Sequence, residues 1–238
     1  MQIRLFVPCP LVLGETVALS DSQAHYLRNV LRASVGDSVY LFNGESGEFT
    51  GQIAVLDKKA ASVSVAAQTK PPEHPRAVSL YFTPLKRDCT DWLVEKATEL
   101  GVTRLCPVLT DFAAVKRINP ERMESIAIEA CEQSRRLTVP QIAPMQTLKE
   151  MLAARKEEDG ILFHLDESGA GASFKQALQG VPANAPVSFL IGGEGGFSNT
   201  ERALIKETPA TTGISLGSHI LRAETAGVTV LAALLCAD

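Results

Sequence analysis

One carboxylate stands among four glycines in the segment Ile191-Gly-Gly-Glu-Gly-Gly196. It follows a short apolar run, Val187–Ile191, and precedes Ser198 and Glu201, spaced as a capping box that opens a helix. Glycines there let the backbone reach positive φ and let a ligand approach main-chain N–H groups. Glu194 is the one side chain in the loop able to move a proton. A second segment, Ser215-Leu-Gly-Ser-His-Ile-Leu-Arg-Ala-Glu-Thr225, repeats the arrangement: a strand-like end, a glycine, then Arg222 and Glu224 before an apolar helix. These two charges either cap that helix as a local ion pair, or Arg222 faces substrate while the apolar loop residues sandwich a flat ring. Lys86 follows the strand-like Val78–Phe82, and Gln133, Arg135 and Arg136 lie at a helix end. The latter contact an anionic partner or complement the helix dipole. The glycines are followed by no Lys-Ser/Thr pair and lack the G-x-G-x-x-G spacing, so neither a phosphate loop nor a dinucleotide fingerprint is present.

The positioning elements are read from periodicity. From Val78 onward apolar runs alternate with helical patterns. The runs are Val78–Phe82, Thr103–Val108, Ile161–Leu165, Val187–Ile191 and Thr211–Leu216. Helices are expected over Asp91–Leu100, stopped by Gly101, after Asn119-Pro120, and over Thr225–Cys236. Alternation of this kind predicts a mostly parallel sheet covered on both faces, with ligands at the carboxyl ends of its strands. The last helix is apolar nearly all round, which suits a core or a subunit interface.

Residues 1 to about 70 follow another pattern. Ser20 and Gln23 form a capping box for a helix whose apolar positions are Ala24, Leu27, Val30 and Leu31. Strands are expected at Val39–Phe42, Phe49–Leu56 and Ser62–Val65, with turns at Asn43-Gly44 and Asp57-Lys58-Lys59. Short strands with tight turns predict a small barrel. Thr69-Lys-Pro-Pro-Glu-His-Pro-Arg76 reads as a linker, which divides the chain into 1–70 and 77–238.

Bulk properties narrow the function classes. With 45% hydrophobic residues in 238, the chain can bury a core. A net charge of −4 and a pI near 5.7 argue against binding nucleic acid by gross positive charge, but not against a local basic surface. Five cysteines without a C-x-x-C pair fit a reducing cytosol, and four scattered histidines with no H-E-x-x-H offer no expected metal site. No apolar run is long enough to span a membrane, and the start, MQIRLFVPCPLVLGE, reads as folded protein rather than a signal peptide.

Five strings in register resemble one family: His25-Tyr-Leu-Arg28 with Val30-Leu-Arg32, Lys96-Ala-Thr-Glu-Leu-Gly-Val102, Glu132-Gln-Ser134 with Arg136, Ile191–Gly196, and Leu216-Gly217 with Ile220-Leu-Arg-Ala-Glu-Thr225. The family is RsmE, in the SPOUT superfamily, whose members methylate a uridine of 16S ribosomal RNA at N3. The resemblance implies an α/β fold: a SPOUT-type knotted parallel-sheet methyltransferase domain preceded by a small PUA-like β-barrel. It further implies S-adenosylmethionine as cofactor, ribosomal RNA or the small ribosomal subunit as partner, and a homodimer. Cofactor contacts are expected from Leu165, Ile191, Gly192, Gly193, Gly195, Gly196, Ser215, Leu216, Gly217, Ile220, Leu221 and Thr225. RNA contacts are expected from Arg28, Arg32, Lys86 and Arg136, and catalytic roles from Arg222 with Glu194 or Glu224. The chain departs from the family at Gly193, where proline is usual, at Cys89, where a basic residue is common, and at Phe112 and His219, where arginine is common. These departures bear on the substrate more than on the cofactor. They leave room for a SPOUT enzyme acting on a ribose 2′-hydroxyl or another base, and for an RNA-binding protein without catalysis.

Overall fold

The structure is a computed structural model, and it describes residues 3–58, 60–166 and 171–237. Its contacts divide the chain into two units, 1–74 with 131–139, and 75–130 with 140–238.

The first unit is a curled five-stranded sheet. Its strands are β1 (Arg4–Phe6), β2 (Thr16–Ala18), β3 (Ser38–Asn43), β4 (Gly47–Leu56) and β5 (Ala61–Lys70), in the order β1-β3-β4-β5-β2. Alternation along β4 and β5 buries Phe49, Ile53, Val63 and Val65 against Leu5, Leu27 and Leu41. Three register shifts between β4 and β5 supply the bulges that bend the ladder. The β3–β4 turn forms at Asn43-Gly44 as its residue types require: the Asn43 side chain accepts from the backbone N–H groups of Glu45 and Ser46 and donates to the carbonyls of Val7 and Cys9. Of the turn expected at Asp57-Lys58-Lys59, Lys59 lies outside the described residues, as do Met1 and Gln2 of the N-terminal stretch.

Helix α1 (Asp21–His25) starts at the Ser20–Gln23 capping box, but the chain then widens into a π turn over Tyr26–Val30. The Leu31 N–H bonds back to the Tyr26 carbonyl, so more residues fill each turn than in an α-helix. Helical spacing assigned Val30 to the inner face. The wider turn corrects this, leaving Leu27 fully buried and Val30 60% exposed.

The second unit is built on parallel strands: β6 (Val78–Phe82), β7 (Arg104–Leu109), β8 (Gln141–Ile142), β9 (Gln146–Thr147), β10 (Ile161–Leu165), β11 (Ala172–Ser173), β12 (Val187–Ile191) and β13 (Thr211–Ser215). Their order is β11-β13-β10-β12-β6-β7-β8, with β9 pairing β7. Every residue of β12 is buried, as a central strand with covered faces demands. The helices are α2 (Arg87–Glu99), α3 (Pro120–Ser134), α4 (Leu148–Ala154), α5 (Phe174–Ala177), α6 (Asn199–Glu207) and α7 (Ala223–Leu235). Capping boxes start α4, α5 and α6, and Asn119 accepts from the Arg122 N–H at the start of α3. Helix α7 packs on α2 and β12, and Gly227 permits the approach: a Cβ there would come to 3.0 Å from Leu93 Cδ1 and 3.1 Å from Ile191 Cδ1. The other face of α7 is only partly covered, with Leu235 exposed.

The stretch 131–139, which holds the last turn of α3, belongs to the first unit. Arg4 explains why. Its guanidinium donates to the carbonyls of Cys131 at 2.7 Å, Glu132 at 3.1 Å and Arg136 at 3.1 Å. It also pairs with Glu48 at 2.8 Å in a buried site and lies 4.1 Å over the Phe42 ring. The cation satisfies orphan carbonyls at a helix C-terminus, where the dipole favours positive charge.

Candidate functional site

The strand order reverses around β6. After laying β8 and β9 beside β7, the chain crosses to the other side of β6, lays down β10, inserts β12 between β10 and β6, and adds β13 outside β10. Ligands of open α/β sheets sit at such a switch, beyond the carboxyl ends of the strands. A cavity of about 660 Å³ opens there, at the ends of β13, β10, β12 and β6.

The two segments that carried the chemical argument form its walls. The loop after β12 contributes Ile191, Gly192, Gly193, Glu194, Gly195 and Gly196. The loop after β13 contributes Ser215, Leu216, Gly217, His219, Ile220, Leu221, Arg222 and Glu224. Leu165 and Asp166 enter from the end of β10, and Lys86 and Cys89 from the start of α2. Of the expected cofactor contacts, Thr225 alone falls outside the lining: it is exposed on the first turn of α7, where its carbonyl accepts from Thr229 Oγ1. Asp166, Ala223 and Ala226 also line the cavity. The end of β10 could have pointed to Asp166, whereas the two alanines lie in the first turn of α7 and their residue type carries no signal.

Local rules explain how the loops hold their shape. Gly196 adopts φ +63° and Gly217 φ +123°, conformations that L side chains rarely take. A Cβ at Gly193 would come to 3.1 Å from Thr83 Cγ2, and one at Gly195 to 2.8 Å from Phe112 Cβ. The loop is therefore packed from behind. The Ser198–Glu201 capping box does more than start α6. Glu201 is buried, with one carboxylate oxygen accepting from the Ser198 N–H at 2.8 Å and the other from the Asp111 N–H at 2.9 Å. Ser198 Oγ donates to Asp111 Oδ2 at 2.5 Å. This buckle ties the glycine loop to the turn after β7. Sequence reading gave Glu201 its capping role and had no signal for the second.

The charges are distributed unevenly. Lys86, the N-cap of α2, stands 3.8 Å from Glu194, both exposed, so the pair contributes little to stability. Arg222 is the N-cap of α7 without a side-chain capping bond, and Glu224 stands in its first turn. Among the described residues no ion pair joins Arg222 to Glu224, the pairing that the sequence allowed. The other expected RNA contacts lie in the first unit. The Arg28 guanidinium donates to the Asp57 carbonyl at 2.6 Å. Arg32 is exposed with φ 54°, a left-handed backbone that costs about 1–2 kcal/mol for a residue with a Cβ. Arg136 is half-buried, donates to Thr138 Oγ1 at 3.1 Å, and burial holds its guanidinium below its ordinary pKa. Arg135 is the left-handed residue just past α3, and the carbonyls there go to Arg4. Among the described residues no group of three His, Cys, Asp or Glu could hold a metal ion, and no helix is long and apolar enough to cross a membrane.

Comparison with known proteins decides the family. An RNA methyltransferase domain model matches residues 72–235, and an RNA methyltransferase PUA domain model matches residues 19–66. The ribosomal RNA small subunit methyltransferase E of Rickettsia conorii is 34% identical over 96% of this chain and 93% of its own. The chain belongs to the ribosomal RNA small subunit methyltransferase E family. A family member from Neisseria gonorrhoeae, solved bound to S-adenosyl methionine, superposes with a TM-score of 0.88 at 30% identity, over 100% of this chain and 98% of that one. A methyltransferase from Legionella pneumophila, solved with the same cofactor, gives 0.89 at 28% identity with equal coverage. The expected methyltransferase domain, following an N-terminal PUA domain in the sequence, therefore stands.

Proposed function

We propose that this protein transfers a methyl group from S-adenosylmethionine to N3 of a uridine in 16S ribosomal RNA. The observation that carries the reading is that two loops distant in sequence, Ile191–Gly196 and Ser215–Glu224, line one cavity with Lys86. The cavity suits the donor. Its volume of about 660 Å³ lies in the usual range for small-molecule sites. Leu165, Ile191, Leu216 and Leu221 offer apolar walls for the adenine, and the glycines let its polar edges approach the main chain closely. The bound donor supplies a methyl group on a sulfonium, which needs no metal for activation.

The chain's residues do the rest. Alignment of the uracil nitrogen with the methyl carbon is the largest contribution. Arg222 stabilises the negative charge that develops on the uracil oxygens as the imide proton leaves. Glu194 or Glu224 accepts that proton. Arg28, Arg32, Lys86 and Arg136 contact RNA phosphates, so binding weakens with salt while the acidic remainder of the surface limits non-specific association. In this reading residues 1–70 grip RNA and 77–238 carry the chemistry. The partly covered apolar face of α7 seats a second copy, and the homodimer works in the cytoplasm on the small ribosomal subunit or its RNA.

The test is methyl transfer from labelled S-adenosylmethionine to small ribosomal subunits from cells lacking this gene, followed by digestion and identification of the nucleoside. N3-methyluridine is the expected product. A different methylated nucleoside overturns the target, and donor binding by calorimetry without transfer to subunits or naked 16S RNA overturns the activity.

A further inference from the structure

Phe112 is a large aromatic side chain left 56% exposed beside the cavity. It follows β7, in the turn between Thr110 and Ala113, and the Ala113 N–H closes that turn onto the Thr110 carbonyl at 3.1 Å. Its backbone and Cβ lie directly against Gly195, so close that a Cβ on that glycine would meet Phe112 Cβ at 2.8 Å. Gly195 and its neighbour Glu194 line the cavity. Phe112 therefore adjoins the cavity wall at the glycine loop, with its ring open to solvent. An exposed phenylalanine on a solvated turn gains nothing from the core.

The turn is unusually well fixed for a surface loop. The Asp111 N–H is held by buried Glu201 at 2.9 Å, the Asp111 carboxylate accepts from Ser198 Oγ at 2.5 Å, and the Thr110 hydroxyl lies 3.3 Å from that of Thr83. The same Glu201 caps the helix that follows the glycine loop, so loop and turn are set by one carboxylate. An exposed ring carried on a fixed backbone has less left to order on binding, which suits a binding platform better than a ring on a fluctuating loop.

We infer that Phe112 is a stacking platform for the nucleobase presented to the cavity. An enzyme acting on a ring atom must take the base out of its stack. The lost stacking is recovered on an aromatic face, and the best place for it is the cavity rim. Stacking is tolerant of base identity, so Phe112 holds the base while the groups of the cavity select the atom. This inference rests on the proposed reading that the substrate is an RNA base. Glu201 is a positioning residue for the platform, buried and outside the cavity lining.

The experiment compares Phe112→Trp, Phe112→Leu and Phe112→Ala in methyl transfer to small subunits from cells lacking the gene, with donor affinity measured in parallel by calorimetry. Stacking predicts that Trp retains kcat/KM, while Leu and Ala lose roughly 10- to 100-fold, with donor affinity unchanged. A Leu variant as active as wild type, or equal losses in donor binding and transfer, overturns the platform in favour of packing against Gly195. A second readout does not depend on methyl transfer. In the double variant Trp92→Phe, Phe112→Trp the only tryptophan sits at the rim. Its fluorescence is expected to be quenched by single-stranded oligouridylate in the presence of S-adenosylhomocysteine. Quenching by an oligonucleotide, in a protein that forms no N3-methyluridine, keeps the platform and overturns the uridine target. Absence of quenching by any single-stranded RNA overturns the platform, whatever the enzyme methylates.

Discussion

At the scale of single residues, the site depends on which charges are free to act. Arg222 caps α7 through its backbone, and its side chain makes no capping bond, so the guanidinium is available at the cavity wall. Lys86 is partly engaged with Glu194. A group that stabilises developing charge acts in the transition state and not on the resting donor. Arg222→Ala is therefore expected to lower kcat by about 10²- to 10³-fold, the usual loss on removing one charge-stabilising donor. Donor affinity by calorimetry should change less than threefold, about 0.7 kcal/mol at most. Parallel losses in both would make Arg222 a wall of the cofactor site instead. This residue was legible in the sequence because it stands two positions before Glu224 at the mouth of an apolar helix. The contact of Phe112 with Gly195 and the bond of Glu201 to Asp111 were not legible. Phe112 belongs to a turn 83 residues before Gly195, and nothing local to either segment shows that they touch.

At the scale of elements, ordinary signals were enough wherever a pattern was local. β6, β10 and β12 begin and end at the residues their apolar runs indicate, and the boxes at Ser20 and Ser198 form as spaced. The reading failed at Val30 because a π turn changes the period that the pattern assumes. It missed α4 and α5 because seven and four residues give too few turns for a period to show. It also had no way to see that an arginine in the first strand would bind the end of a helix more than 120 residues on. That contact makes a strong prediction. Arg4 is buried, satisfies three carbonyls and neutralises buried Glu48, which Thr69 Oγ1 also contacts at 2.9 Å. Arg4→Ala would leave a carboxylate and a helix end without their cation, a loss of about 3–5 kcal/mol by comparison with other broken buried pairs. Chemical denaturation should show it as a lower midpoint. A shift worth less than about 1 kcal/mol, the range of surface pairs, would mean that water takes over the role of the guanidinium.

At the scale of the whole molecule, the strand order could not be read from periodicity, because the insertion of β12 between β10 and β6 is a choice among crossovers of equal local quality. The resemblance implied a knotted parallel sheet and no strand order. What the two units do share is a buried thiol each. Cys106 lies in β7 of the second unit and Cys131 in the segment that belongs to the first. Burial pushes the Cys106 thiol from 9.0 up to about 12, and the Cys131 thiol up to about 11. Burial likewise raises the Tyr81 hydroxyl. Each group is neutral when protonated, and its pKa in the fold lies above that of the unfolded chain. Their stabilising effect is therefore complete below about pH 9 and is lost as pH rises through 11 and 12. In that window each thiol removes about 1.4 kcal/mol per pH unit. Thermal or urea unfolding should thus be nearly flat from pH 7 to 9 and fall steeply above, in both units. Cys106→Ala with Cys131→Ala lowers the starting stability through lost packing but flattens the alkaline limb. An unchanged limb in that variant would assign alkaline unfolding to Tyr81 and surface charge rather than to the two thiols.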